Sequence, residues 1–146
     1  MSLRTKRKKK SVLLKLNHQD CYFKMRLIPY VKQGPGVVWL VSLAVAKSKR
    51  QINDWLNRRK KTSTYRLDAK LTGKSGNQIQ AFAIRQLRQW YSELPPGDSL
   101  ALRCESALPD KQFQVWQKWF ERNEDPGWVI NSYFKSFYIY KPYPVE

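Results

Sequence analysis

Tyr65-Arg66-Leu67-Asp68-Ala69-Lys70-Leu71-Thr72-Gly73-Lys74-Ser75-Gly76-Asn77-Gln78 leads straight into a periodic segment that ends at Leu94. Leu67, Ala69 and Leu71 alternate with Arg66, Asp68 and Lys70, the period-two pattern of a half-buried strand. Ile79, Phe82, Ala83, Leu87, Trp90, Tyr91 and Leu94 then recur at steps of three and four, which makes one broad apolar stripe on a helix. Gln80, Arg85, Arg88 and Gln89 fall on its other face. Ser75 followed by Gln78 has the spacing of a capping box, in which hydroxyl and amide each satisfy an unpaired backbone N–H. Pro95-Pro96-Gly97-Asp98 stops the helix, because neither proline can continue the hydrogen-bond ladder. The stretch reads strand, glycine turn, helix.

Working toward the amino end, Lys47 to Lys61 carries a narrow apolar stripe, Ile52, Trp55 and Leu56, in an otherwise basic segment, and reads as a short helix from about Ser48 to Arg59 docked by Trp55. Before it, Val37 to Val45 is apolar on both faces, as a covered central strand is. Cys21 to Tyr30 alternates Phe23, Met25 and Leu27 with Tyr22, Lys24 and Arg26, a strand with one basic and aromatic face that Pro29 ends or marks as an edge. The turn residues Gly34-Pro35-Gly36 between these two strands make them a hairpin. Ser11 to Leu16 brings the first apolar residues. Residues 1–10 hold Arg4, Lys6, Arg7, Lys8, Lys9 and Lys10 with almost nothing to pack, and are expected to be a disordered basic arm.

Toward the carboxyl end, Leu100, Leu102 and Cys104 oppose Ala101, Arg103 and Glu105 in a strand from Ser99 to Glu105. Pro109 and Asp110 suit the first turn of a second long helix, with Phe113, Trp116 and Phe120 as its stripe and Trp119 alongside. Glu124-Asp125-Pro126-Gly127 closes it. An aromatic strand spans about Asn131 to Tyr140. These elements make an α+β domain over residues 11–146: a single mixed, mainly antiparallel sheet with two or three packed helices.

A chain of 146 residues with 42% hydrophobic content is enough for one domain with a real core. Its longest apolar run, Val37 to Ala46, is too short to span a bilayer, so no membrane insertion is expected. Cys21 and Cys104 match no metal spacing and no secretory signal precedes them, which places reduced thiols in the cytoplasm of a cell, expected to be bacterial.

The net charge of +17 is unevenly spread: residues 1–62 hold 17 Lys/Arg against Asp20 and Asp54, and residues 63–146 hold 11 against 9 acids. A field of that sign concentrates polyanions, and nucleic acid, DNA or RNA, is the expected partner. Lys6, Arg7, Lys8, Lys9, Lys10, Lys24, Arg26, Lys49, Arg50, Arg58, Arg59, Lys60 and Lys61 are the expected phosphate contacts, with Lys74 and Arg85 behind them. The spacing of Trp39, Trp55, Trp90 and Trp116 assigns them to the core, whereas Tyr22, beside Lys24 and Arg26, is the candidate for stacking on a base. This reading is of a non-catalytic accessory or regulatory factor without a cofactor, facing a nucleoprotein assembly, a mobile element or a protein partner.

Two enzyme readings stand beside it. Lys70-Leu71-Thr72-Gly73-Lys74-Ser75 is similar to the pyrophosphate-binding pattern of the GNAT acyltransferases: Arg or Gln, two residues, Gly, one residue, then Gly or Ala. Residues 65–140 resemble that family's core. The resemblance implies acyl-coenzyme A as cofactor, held by backbone amides at the helix start. Lys70 and Ser75 depart from the pattern, a helix interrupts strands that the family joins directly, and Trp116 lies where the family often has a tyrosine acid. The strand order also fits an RNase H-like metal nuclease, for which Asp20, Asp68, Glu105 and Asp110 are the available carboxylates. His18 is the only histidine, so sites built on several imidazoles are excluded.

Overall fold

The computed structural model describes residues 10–33, 36–58, 65–67, 73–103, 109–122, 128–131 and 136–144. Within these the chain runs β1 (Lys10–Lys15), β2 (Tyr22–Gln33), β3 (Gly36–Ala46), α1 (Lys49–Arg58), β4 (Tyr65–Leu67), α2 (Gly73–Glu93), β5 (Ser99–Arg103), α3 (Pro109–Arg122), β6 (Val129–Asn131) and β7 (Ser136–Tyr140). All seven strands join one sheet, in the order β1-β2-β3-β5-β7-β6, with β4 also paired to β3. Only the β3–β4 and β3–β5 pairs are parallel. The α+β class read from the patterning is therefore the observed one.

β3 is central because every one of its positions is buried. Trp39, Val41, Leu43 and Val45 join Phe23, Met25 and Leu27 of β2 in the main core, which α2 covers with Ile79, Ala83, Ile84, Leu87 and Trp90 and α3 with Trp116 and Phe120. The alternate residues Ala44 and Ala46 face the other way and are covered by Ile52 of α1. Ser48 caps α1, its Oγ accepting from the N–H of Gln51 at 3.1 Å. Small residues on β3 thus let α1 lie close on one face, while large ones meet α2 on the other.

At the amino end of β3 the packing admits only glycine. A Cβ on Gly36 would stand 1.9 Å from the carbonyl oxygen of Gly97, and Gly97 itself has φ 92°. Asp98 is wholly buried there and accepts from the N–H of Val37 at 2.9 Å and the indole of Trp39 at 3.1 Å. The segment that stops α2 therefore also fastens the start of β5 to the start of β3.

Several elements differ from the sequence reading. Residues 10–15 form an edge strand, so Lys10 belongs to the sheet, and its Nζ donates to Glu93 at 2.7 Å. Pro29 does not end β2, which runs on to Gln33; it pairs with Trp39 and sits at a register shift in the ladder with β3, the kind of irregularity that accommodates proline in a strand. Gln80, read on the polar face of α2, is buried and accepts from Arg122 Nη1 at 3.4 Å. The aromatic strand expected over 131–140 is two strands, β6 and β7, paired antiparallel. Cys104 and residues 1–9 lie outside what is described, as do the side chains of Trp55 and Phe113.

Candidate ligand-binding end of the sheet

Ligands of open sheets bind in the crevice outside the carboxyl ends of parallel strands. Here the central parallel ladder between β3 and β5 is short, pairing Val38 with Ser99, Trp39 with Leu100 and Leu40 with Ala101. Beyond Leu40 the two strands part: β3 continues to Ala46 and takes β4 as its neighbour from Leu43 to Val45, while β5 continues to Arg103. The carboxyl ends of both strands point to the same end of the sheet.

Helix α2 begins at that end. Tyr22 stands opposite Ala46, which places the β1–β2 turn beside the carboxyl end of β3. In that turn the backbone N–H of Asn17 donates to Oε1 of Gln78 at 2.9 Å. The other end of the helix returns to β1, through Lys10 and Glu93, and to the segment just past β7, where Lys141 Nζ donates to the carbonyls of Tyr91 (3.2 Å) and Ser92 (3.0 Å). A lysine on these last carbonyls also suits the negative end of the helix dipole.

The first turn of α2 is Gly73-Lys74-Ser75-Gly76, helical from its first residue. The glycine turn of the sequence reading is thus part of the helix, and the capping box does not form: Ser75 is buried inside the helix and the Gln78 carbonyl is turned to Asn17. Gly73 and Lys74 are exposed. A Cβ on Gly73 or Gly76 would meet nothing within 4 Å, and neither glycine has a positive φ. Each costs up to about 1 kcal/mol against alanine in a helix, yet among the described residues neither packing nor backbone geometry requires it. What the two glycines leave is bare backbone at a positively polarised helix start, where a bulky anion can approach closely.

A second feature borders the same end on the opposite face of the sheet. Tyr22 pairs with Lys15 across to β1, and its ring packs on Ala44, Ala46 and Ile52. Lys49 Nζ lies 5.4 Å from the ring centroid. Lys24 Nζ donates to Asn53 Oδ1 of α1 at 2.7 Å. Lys15, Lys47, Lys49 and Arg50 are exposed, so β1, β2 and the start of α1 together build a basic patch.

Of the expected phosphate contacts, Lys24, Lys49 and Arg50 come together in this patch. Arg26 does not belong to it: the side chain is 3% exposed, in register between Ser11 and Ser42, and burial lowers the pKa of its guanidinium. Tyr22 is not an open stacking platform, since Lys49 and the α1 contact already occupy its ring. Lys74 and Arg85 are exposed on α2, across the sheet from α1, so the sixteen residues do not form one surface. Lys6 to Lys9 and Arg59 to Lys61 lie outside the described residues, as does the side chain of Arg58. Lys47 belongs to the basic segment read from the sequence, whereas Lys15 and Asn53 were not singled out there; the register of β1 on β2, which the basic arm obscures, is what brings Lys15 in.

Of the nuclease carboxylates only Asp20 has a described side chain, since that of Asp110 is not described. Asp20 is exposed in the β1–β2 turn, Asp68 and Glu105 lie outside the described residues, and among the described residues no three His, Cys, Asp or Glu side chains could hold a metal ion. Trp116 is buried against Trp119 and Phe120 and serves packing. No protein-family model, curated protein or solved structure matches the chain. Among the described residues no helix is long and apolar enough to cross a membrane.

Proposed function

We propose that the chain binds a phosphate-bearing acyl coenzyme at the start of α2 and is an N-acyltransferase of the GNAT kind. The observation that supports this most is a coincidence of place. The parallel strands β3 and β5 part at the end where α2 begins, and α2 begins with two glycines that no contact among the described residues requires. Phosphates of a coenzyme would approach the start of that helix, with the Lys74 ammonium beside them. Holding the thioester and an acceptor side by side contributes most to such a reaction, since orientation alone can lower a barrier by roughly 7–11 kcal/mol. Isothermal titration with coenzyme A and acetyl-coenzyme A tests the reading. Binding should be lost in Gly73→Glu with the thermal melt unchanged, and a wild-type protein that binds neither at millimolar concentration ends it.

A second reading, nucleic-acid contact by a cytoplasmic accessory or regulatory protein, is supported by the patch of Lys15, Lys24, Lys47, Lys49 and Arg50. Side chains of this kind follow phosphates without reading bases. Affinity for single-stranded RNA, single-stranded DNA and a duplex should fall steeply with salt, and the pair Lys49→Glu, Arg50→Glu should weaken it far more than Lys118→Glu. Equal losses would remove the patch from the interface.

A further inference from the structure

Leu13, Tyr30, Val129, Tyr140 and Tyr143 are the large apolar side chains exposed among the described residues. Register gives Leu13, Val129 and Tyr140 the same face of the sheet. Leu13 stands opposite Lys24, Val129 opposite Tyr138 and Tyr140 opposite Ser99. These positions alternate with the core residues Phe23, Phe137 and Leu100, and so turn away from α2 and α3. On this face a second apolar cluster crosses four strands, with Ile28 of β2, Val38 and Leu40 of β3, Ala101 of β5 and Tyr138 of β7. Among the described residues it includes none from a helix, whereas Ile52 of α1 covers the carboxyl end of β3. Leu40 is wholly buried and Ala101 nearly so, which leaves the β7–β6 end as the accessible part. There Tyr140 is 44% exposed and Val129 60%, and Tyr138 is half-buried.

We propose that this face binds single-stranded nucleic acid, with bases stacked on Tyr138 and Tyr140 and the backbone carried toward Lys15, Lys24, Lys49 and Arg50. The proposal rests on the nucleic-acid reading, independently of any coenzyme, and gives the bases a place. Tyr138 and Tyr140 are two positions apart on one strand face, about 7 Å, close enough for neighbouring nucleotides. Tyr138 is level with Ile28 through Ala101 and Leu40, across three strand spacings or roughly 14 Å, and Lys24 lies about 13 Å further along β2. A strand of a few nucleotides therefore reaches both. Asp68, Glu105, Glu124 and Asp125 adjoin β4, β5 and β6 in sequence and lie outside the described residues; the net +17 counts them all. A second copy of the chain would also cover Tyr140 and Val129, but at that net charge each copy repels the other and attracts phosphates. Charge alone does not separate single strands from duplex; the rings do. A duplex keeps its bases inside, whereas any unpaired base presents a π-face that a tyrosine ring accepts.

Fluorescence anisotropy of the full chain with labelled oligouridylate, oligothymidylate and a duplex carrying the same number of phosphates tests this. The expected result is a single strand bound at least about tenfold more tightly than the duplex. Tyr138→Ala with Tyr140→Ala should weaken single-strand binding by about fivefold or more per ring and leave duplex binding unchanged. Tyr138→Phe with Tyr140→Phe keeps the rings and should keep most of the affinity, and Lys49→Glu with Arg50→Glu should weaken single strands and duplex alike. Iodouridine placed in the oligomer should cross-link to Tyr138 or Tyr140 on irradiation. Duplex bound as tightly as single strands, an alanine pair with unchanged single-strand affinity, or cross-links only to other residues overturns the proposal and leaves the phosphate patch standing. The cross-link decides even where the alanine pair does not fold. Sedimentation of the wild type as a dimer that the alanine pair dissolves, with no loss of nucleic-acid affinity, gives the face to a second copy and overturns it too. Absence of binding to any of the three at low salt removes the patch reading and the proposal together.

Discussion

The indole Nε1 of Trp39 donates to Oδ2 of Asp98 across 3.1 Å, and neither side chain has any exposed surface. Asp98 Oδ1 takes the N–H of Val37 as well. Two strands that are remote in sequence, β3 and β5, are thereby fastened at their amino ends by one carboxylate. Asp98→Ala would leave both donors buried without acceptors, and stability should drop by about 2–4 kcal/mol. Urea unfolding read by tryptophan fluorescence checks it; a loss below 1 kcal/mol would mean that the carboxylate is dispensable.

Glycines at two places should respond in opposite ways. Gly36→Ala forces a Cβ onto the Gly97 carbonyl and should cost about 1–3 kcal/mol or more. Gly73→Ala and Gly76→Ala meet open space and should be neutral or stabilising by up to about 1 kcal/mol. If the helix start holds phosphates, these same two stabilised variants should bind coenzyme A more weakly. Unchanged affinity in both would separate the glycines from any ligand.

Arg26 and Lys49 offer a contrast between folding and binding. Arg26→Glu places an acid in a buried row and should destabilise by about 3 kcal/mol or more, visible as a lowered melting temperature. Lys49→Glu changes an exposed side chain and should move the melt little while weakening polyanion binding. The reverse pattern would show that Arg26 is not buried and Lys49 not part of the patch.

Glu93 links the helix end to the edge strand in a pH-dependent way. Its carboxyl pKa is lowered, chiefly by the hydrogen bond from Lys10 and against some desolvation. A carboxyl whose folded pKa lies below its unfolded value adds stability above the unfolded pKa, and that stability is lost as pH falls through the folded one. Both partners are partly exposed, so the pair is worth less than about 1 kcal/mol. Melting curves from pH 7 to pH 3 for wild type and Glu93→Gln should converge at the acid end, and parallel curves would refute the linkage.

Periodicity made most of this fold legible. The alternation of Phe23, Met25 and Leu27 with polar residues, the apolar run of β3 and the stripe of α2 each reflect a large buried surface, and that surface is written in local sequence. What stayed hidden depends on contacts between remote residues. Nothing near Gln80 signals Arg122, nothing near Gln78 signals Asn17, and the role of Asp98 appears only once Trp39 is beside it. For the candidate site the same division holds: the glycines and lysines were visible, but only the assembled sheet shows that Arg26, on the face of Tyr22 and Lys24, is covered there between Ser11 and Ser42, and that Lys15 stands beside Tyr22.

The order of strands also bears on how the chain leaves the ribosome. β1, β2 and β3 are complete by Ala46, but the helix that covers Phe23, Met25, Leu27, Trp39 and Leu43 is not finished until Glu93. At about 5–20 residues per second of synthesis the newly made meander spends several seconds with that apolar face bare. β3 also waits for β5, its parallel partner some sixty positions downstream, so its second edge stays open over the same interval. A nascent chain halted between Ala46 and Gly73 should therefore be bound by chaperones, and release should follow the appearance of Trp90 beyond the tunnel.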